Sequence, residues 1–140
     1  MRRRQGFTLL ELFVVIIIVG VLATLSIQQF RPARESALSR EAVSNLRLIL
    51  AAERIYRMEN DSFYPPSGIV NSSTAAGLTA INSELRLNLS AANWVYSIAG
   101  GINTFSATAD RAGAGGYLNC LWLISQNGEP PVISAGPCAQ

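Results

Sequence analysis

The N-terminal quarter of the chain is dominated by consecutive apolar residues. Residues 12–30 are nineteen positions without a charged side chain. At about 1.5 Å per helical residue, this segment is long enough to cross a bilayer core of about 30 Å. Arg2, Arg3 and Arg4 precede it, and basic residues favour the cytoplasmic side of a membrane. The pattern predicts a membrane-spanning helix over residues 7–30 with a cytoplasmic N-terminus.

Beyond this segment, the apolar residues become periodic. They recur every three or four positions, which is the spacing of one face of an α-helix. Glu53 falls on this apolar stripe and can reach Arg57, four residues later. The Pro65-Pro66 pair favours an end to the helix before it. These features predict an amphipathic helix over residues 31–58, with an apolar stripe of Leu38, Ala42, Leu46, Ile49, Ala52 and Tyr56.

Three arginines lie seven residues apart on the opposite side of the predicted amphipathic helix. They are Arg40, Arg47 and Arg54. A charged stripe of this kind is most often a solvated helix face. The alternative is a binding surface, for which a contact between neighbouring copies is a better explanation than DNA.

The remaining region, residues 59–140, changes to short β-prone runs separated by turn residues. Residues 59–93 are rich in Ser, Asn and Gly and predict a loop with one short helix at 79–89. Strands are predicted at residues 94–98, 104–109, 117–125 and 132–134, with turns at Gly100-Gly101, residues 113–116 and Asn127-Gly128. The predicted fold is therefore α+β, with a long N-terminal helix packed on an antiparallel β-meander of three or four strands.

The charged residues argue against a nucleic-acid partner. All 11 basic residues are arginines, and three of them lie in the first four positions. The other eight face nine acidic residues in the rest of the chain, so there is no basic excess for a phosphate backbone.

The chain also lacks the side chains of most catalytic sites. It has no His and no Lys, which excludes a Ser–His–Asp set, a Cys–His pair and a P-loop lysine. After Glu84 the only acids are Asp110 and Glu129, which are too sparse for a calcium cage. We expect no enzymatic activity, no metal and no cofactor.

Glu11 is the one acid in the N-terminal apolar segment. A carboxylate is costly in hydrocarbon and usually has a function there. A conventional cleaved signal has an apolar core of about 7–15 residues and small residues at its cut, which this segment does not match. A plain uncleaved anchor explains the arginines but leaves Glu11 unexplained. Glu11 could also serve only to cap the helix start, where the helix dipole favours a negative charge.

The apolar segment begins with the stretch GFTLLEL, residues 6–12. Together with the short basic leader and the apolar helix that follows, it resembles the prepilin processing site of type IV pilins and type II secretion pseudopilins. The resemblance implies that residues 1–6 are a leader. It also implies that a prepilin peptidase and methyltransferase cuts between Gly6 and Phe7 and methylates the new amine of Phe7. Glu11, the fifth residue after the cut, would then pair with the amine of a neighbouring subunit during assembly.

Membership of this family implies a structural role. The precursor would lie in the inner membrane, and an inner-membrane assembly machinery would add it to a helical homo-oligomeric filament at the cell surface. The alternative within the family is a minor pilin or a type II secretion or competence pseudopilin. An anchored binding domain that does not polymerise is a more remote alternative, because it leaves the register of Glu11 unexplained.

One position departs from the pattern of many pilins. The glycine of the family is present as Gly20, but Gln28 stands where many pilins have a proline. The nearest proline is Pro32. The resemblance therefore implies a flexible region of the helix that centres on Gly20 or shifts to Pro32.

Cys120 and Cys138 lie near the C-terminus. In an exported domain two cysteines most often form a disulfide, and the alternative is two reduced buried thiols. The pair is similar to the C-terminal disulfide region of pilins. In the loop-entropy model, a disulfide over this span stabilises the fold by about 3 kcal/mol.

Overall fold

The computed structural model describes residues 7–112, 119–128 and 130–139, and for residues 25–31 it describes the backbone only. The chain forms two compact units, Met1–Arg34 and Glu35–Gln140, and we call the second unit the head. In chain order the elements are α1 (Leu9–Asn60), β1 (Ile69–Asn71), α2 (Ala75–Glu84), β2 (Trp94–Gly100), β3 (Phe105–Arg111), β4 (Leu121–Ser125) and β5 (Val132–Ala135).

The first unit contains the N-terminal part of α1. Its described large apolar side chains, from Phe7 to Leu22, are all exposed, from 46% at Val15 to 77% at Leu9. The backbone stays helical through Gly20 and Pro32, and the expected flexibility at these two positions stays a prediction. Over the described residues, no helix combines the length and the apolar character needed to span a membrane. The predicted span over 7–30 runs into residues 25–31, whose side chains lie outside the described set.

The head contains one antiparallel sheet with the strand order β1-β2-β3-β4-β5. This confirms the predicted meander, but the sheet has five strands rather than three or four. The additional strand is β1, in which Val70 pairs with Ile98 of β2. It has only three residues, so it is too short to show the alternation that identifies a strand in a sequence.

The core of the head lies between the sheet and the C-terminal part of α1. The predicted apolar stripe is confirmed, because Ala42, Leu46, Ile49 and Ala52 are buried while Leu38 and Tyr56 pack against the same cluster. From the sheet, alternate residues of β2 face this stripe: Trp94, Tyr96 and Ile98 are all 0–1% exposed. The first five residues of β2 are thus alternately buried and partly exposed, as expected for a strand with one face against a core.

Helix α2 lies earlier in the chain than the predicted segment 79–89. Thr74 caps its start by accepting a hydrogen bond from the N–H of Gly77 at 3.1 Å. The helix ends at Glu84, and Arg86 then adopts a left-handed conformation with φ of 54°. The amide of Asn82 binds both the N–H and the carbonyl of Leu89, which holds the non-helical segment against the helix. The predicted helix to residue 89 is therefore wrong at its end, because the last apolar residues of the pattern, Leu85 and Leu89, lie in and after a turn.

The disulfide between Cys120 and Cys138 is present, which confirms the predicted pairing. It joins the residue before β4 to the segment after β5. Gly136 allows this closure, because its φ is +77° and a Cβ there would lie 2.0 Å from the carbonyl oxygen of Asn119. The predicted glycine turn at 113–116 lies outside the described residues, as do Tyr117 and Leu118 of the third predicted strand.

A partly buried ion pair fixes the first residue of the head. The guanidinium of Arg111 in β3 binds both carboxylate oxygens of Glu35 in α1, at 3.0 and 3.1 Å. It also donates to the carbonyl of Asn93 at 2.7 Å and lies 5.7 Å above the ring of Trp94. The side chains are only 12% and 18% exposed, so solvent screens this pair weakly.

Replacing Arg111 with methionine should destabilise the head by about 2 kcal/mol, because Glu35 would keep a poorly solvated charge. Urea denaturation followed by tryptophan fluorescence measures this change. The double variant Glu35→Gln, Arg111→Met should recover part of the loss. Arg86→Met is the matched control, because its pair with Glu59 is 75% and 48% exposed and should contribute less than about 1 kcal/mol. Equal effects for Arg111→Met and Arg86→Met would contradict the prediction.

Candidate functional site

The start of α1 is fixed by two side chains that hydrogen-bond to each other's backbone. The Oγ1 of Thr8 accepts from the N–H of Glu11 at 3.2 Å. In return, the Oε2 of Glu11 accepts from the N–H and the hydroxyl of Thr8, both at 3.1 Å. This is the reciprocal arrangement of a capping box, in which two backbone donors at a helix start find partners.

The capping geometry bears directly on the two explanations of Glu11. The carboxylate lies against the N–H of Thr8, one residue from Phe7, which is 75% exposed. In this chain Glu11 therefore does cap the helix, as the simpler explanation expects. The N–H that binds the carboxylate belongs to the residue directly after Phe7, whose nitrogen would become an amine after a cut before Phe7. Gly6 and the three leader arginines lie outside the described residues, so both processing and assembly stay predictions.

Glu53 is a second functional candidate, which the sequence indicated only as a charge on an apolar stripe. It is 0% exposed, and its Oε2 accepts a hydrogen bond from the N–H of Tyr64 at 2.8 Å. Its Oε1 is buried and has no hydrogen-bond partner among the described residues. Burial raises the pKa of Glu53 from 4.5 to about 7, although the hydrogen bond from Tyr64 opposes the shift.

The suggested pair between Glu53 and Arg57 is wrong. The guanidinium of Arg57 instead lies 4.7 Å above the ring of Phe63. Glu53 points into the core, where it holds the segment that follows α1, whereas Arg57 is on the exposed side of the helix. The i,i+4 spacing shows that two side chains are near each other along a helix. It does not show that Glu53 is buried while Arg57 is exposed to solvent.

One side of the head carries a groove of about 280 Å³, which we call the basic groove. It is lined by Ser36, Ser39, Arg40, Val43, Ser44, Arg47, Trp122 and Ala139. Arg40, Arg47 and Arg54 are all exposed, as a solvated helix face requires. Within the described part of the chain, none of these three arginines forms an ion pair. The indole N–H of Trp122 is buried and has no hydrogen-bond partner among the same residues.

A second groove of about 260 Å³ lies between α1 and the turn after α2. Its lining includes the exposed Leu48 and Ile55 and the acids Glu59 and Glu84. In the described residues, no group of three or more acidic or cysteine side chains is arranged to hold a metal ion.

Comparisons with known proteins support the family resemblance inferred from the N-terminal motif. A family model described as a prokaryotic N-terminal methylation motif matches residues 1–27. The type II secretion system core protein G of Aeromonas hydrophila is 39% identical over 80 residues, which are 54% of this chain and 55% of that protein. The type IV major pilin protein PilA of Myxococcus xanthus is 34% identical over 61 residues, or 44% of this chain and 28% of that protein.

The similarity extends over nearly the full chain in one relative. The type II secretion system core protein G of Escherichia coli K12 is 32% identical over 137 residues, which cover 96% of this chain and 83% of that protein. For several other relatives, including that of Aeromonas hydrophila, the match spans only about half of their length. No solved structure gives a significant match. The chain belongs to the type IV pilin and type II secretion pseudopilin family.

Proposed function

We propose that this protein is a structural subunit that is cleaved before Phe7, methylated there, and polymerised into a type IV pilus-like filament. The observation that carries the proposal is the register of the N-terminal motif: Glu11 lies at the start of a helix, four residues from the new amine. Family membership supports a structural rather than a catalytic role.

The exposed apolar surface of α1 supports polymerisation. Every large apolar side chain of α1 from Leu9 to Leu22 is at least 46% exposed. Surface of this extent must be covered by lipid or by other helices in the functional state. A bilayer would cover it in the inner-membrane precursor, and the helices of neighbouring subunits would cover it in a filament. The same segment thus serves first as a membrane anchor and then as the filament core.

The chemistry of Glu11 explains how the two states are connected. Cleavage between Gly6 and Phe7 creates an amine that is cationic near neutral pH. In a staggered stack, the amine of an incoming subunit can meet Glu11 of its neighbour. The attraction between the two charges then offsets the free-energy cost of removing each of them from water. The pair also fixes the axial offset of the two subunits.

Intact-mass measurement of the protein purified from its host membrane tests processing. The expected mature protein lacks Met1–Gly6 and carries one additional methyl group. Electron microscopy of sheared filaments then tests assembly. If the protein purified from the membrane still carries residues 1–6, the processing proposal is wrong.

A pseudopilin of a type II secretion system is the second candidate. It is favoured by the match to core protein G of Escherichia coli K12, which covers 96% of this chain. Deletion of the gene distinguishes the two. A surface pilin predicts the loss of sheared filaments with normal secretion, whereas a pseudopilin predicts that exported proteins are retained inside the cell envelope.

A further inference from the structure

The basic groove combines an apolar lining with two arginines, so it is suited to bind an apolar side chain that has a negative charge next to it. Val43, Trp122 and Ala139 contribute apolar surface to its lining. Arg40 and Arg47 lie two helical turns apart, about 10 Å along α1, on the same groove. Because neither arginine has an ion-pair partner among the described residues, both are available to a carboxylate from another molecule.

The C-terminal end of α1 carries the complementary features. Met58 is 78% exposed, more than any other large apolar side chain described. Asp61 follows within one turn, is exposed, and forms no ion pair with any described residue. The nearby Glu59 is paired with Arg86 at 3.2 Å. The end of the helix therefore presents an exposed apolar side chain together with an acid that has no ion-pair partner in the described part of the chain.

Within one subunit, these two surfaces cannot meet. Val43 and Met58 are fifteen residues apart on the same helix, a separation of about 22 Å. A second copy of the chain can bring them together, because it carries the same two surfaces. Contacts between two different surfaces of identical subunits do not pair off into a closed dimer and can continue into an open filament.

We propose that Met58 of one subunit enters the basic groove of the next, with Asp61 facing Arg40 and Arg47. The thioether chain of methionine adapts to irregular apolar grooves, and a carboxylate between two guanidinium groups forms charge-assisted hydrogen bonds. The occupant of the groove is thus a second copy of this chain, and the inference rests on the proposed filament function. It adds which surfaces of the head make the contact.

Cysteine cross-linking in cells that assemble the full chain tests this contact. Ser44→Cys changes an exposed groove residue conservatively, and Met58→Cys marks the other surface. The double variant should give a ladder of covalent dimers, trimers and longer species after mild oxidation. Each single variant alone should give none, and co-expression of the two single variants should give dimers only. Ser44→Cys with Ile102→Cys is the control, because Ile102 is also exposed, at 69%, but lies outside the proposed contact.

Charge reversal provides the second measurement. Arg47→Glu should lower the cross-linked fraction of the double-cysteine variant by about fivefold or more, since it replaces an attractive pair with a repulsive one. Arg54→Glu on the same stripe, outside the groove, should leave it unchanged. Filaments without a ladder, or equal effects of the two reversals, would overturn the contact while the filament function stands. If the wild-type chain forms no filaments and the double-cysteine variant forms no cross-linked species, both proposals fail.

Discussion

Replacing Glu11 with glutamine should reduce filament number to about one hundredth of wild type or less, with normal removal of residues 1–6. The expected loss corresponds to about 2.7 kcal/mol, within the range for a charge that loses its partner in surroundings of low dielectric constant. Glutamine is well suited to this test because it is accepted at the third position of a capping box. It keeps the hydrogen bond to Thr8 and removes only the charge. Filaments are counted by electron microscopy, and leader removal is followed by intact mass.

Thr8→Ala provides the opposite change. It removes one side of the capping box but leaves the carboxylate of Glu11 charged, so it should assemble at close to wild-type levels. If Glu11 acts only as a helix cap, the order is reversed: Glu11→Gln assembles normally and Thr8→Ala assembles poorly. That reversed result would show that the proposed charge pair is wrong and that capping is the whole function of this acid.

The largest expected effect on stability concerns Glu53 and depends on pH. Because burial raises its pKa from 4.5 to about 7, the folded state keeps a proton that the unfolded state releases between these values. The contribution of Glu53 to stability is therefore greatest below pH 4.5, falls as the pH rises to 7, and is constant above 7. The fall amounts to about 3 kcal/mol.

Glu53→Gln should remove this pH dependence, because its neutral side chain keeps an acceptor for the N–H of Tyr64. Relative to wild type, the variant should gain about 3 kcal/mol in its free energy of unfolding between pH 4.5 and 8. Urea denaturation of the detergent-solubilised chain measures this, with the buried Trp94 as the fluorescent reporter. Tyr56 and Tyr64 do not interfere, since burial raises their pKa above 10.0. Glu59→Gln, at an exposed side chain, should leave the profile nearly unchanged; parallel profiles for wild type and Glu53→Gln would refute the prediction.

The sequence was sufficient for the features that depend on long periodic patterns. Residues 42, 46, 49 and 52 repeat with the period of a helix over several turns, and these positions form the buried face of α1. The seven-residue strands β2 and β3 are long enough to show their alternation. The N-terminal motif could also be recognised, because its charges and apolar residues are contiguous in the chain.

The features that were missed depend on contacts between distant segments. Strand β1 exists because Val70 pairs with Ile98, and no local pattern of three residues indicates this pairing. The end of α2 is set by Asn82 binding the backbone of Leu89, which interrupts an apolar spacing that otherwise continues. The hydrogen-bond partner of Glu53 is the N–H of Tyr64, eleven residues later, whereas the sequence offered only Arg57 as a partner.

The disulfide also has a consequence for resistance to proteolysis. Strand β5 is at one edge of the sheet and has only one neighbouring strand, so without a covalent link it would separate more easily than the central strands. Cys120 and Cys138 enclose both β4 and β5 in one covalent ring. A protease that cuts once in the connection between these strands would therefore release no fragment, and the nicked subunit would keep its C-terminal segment.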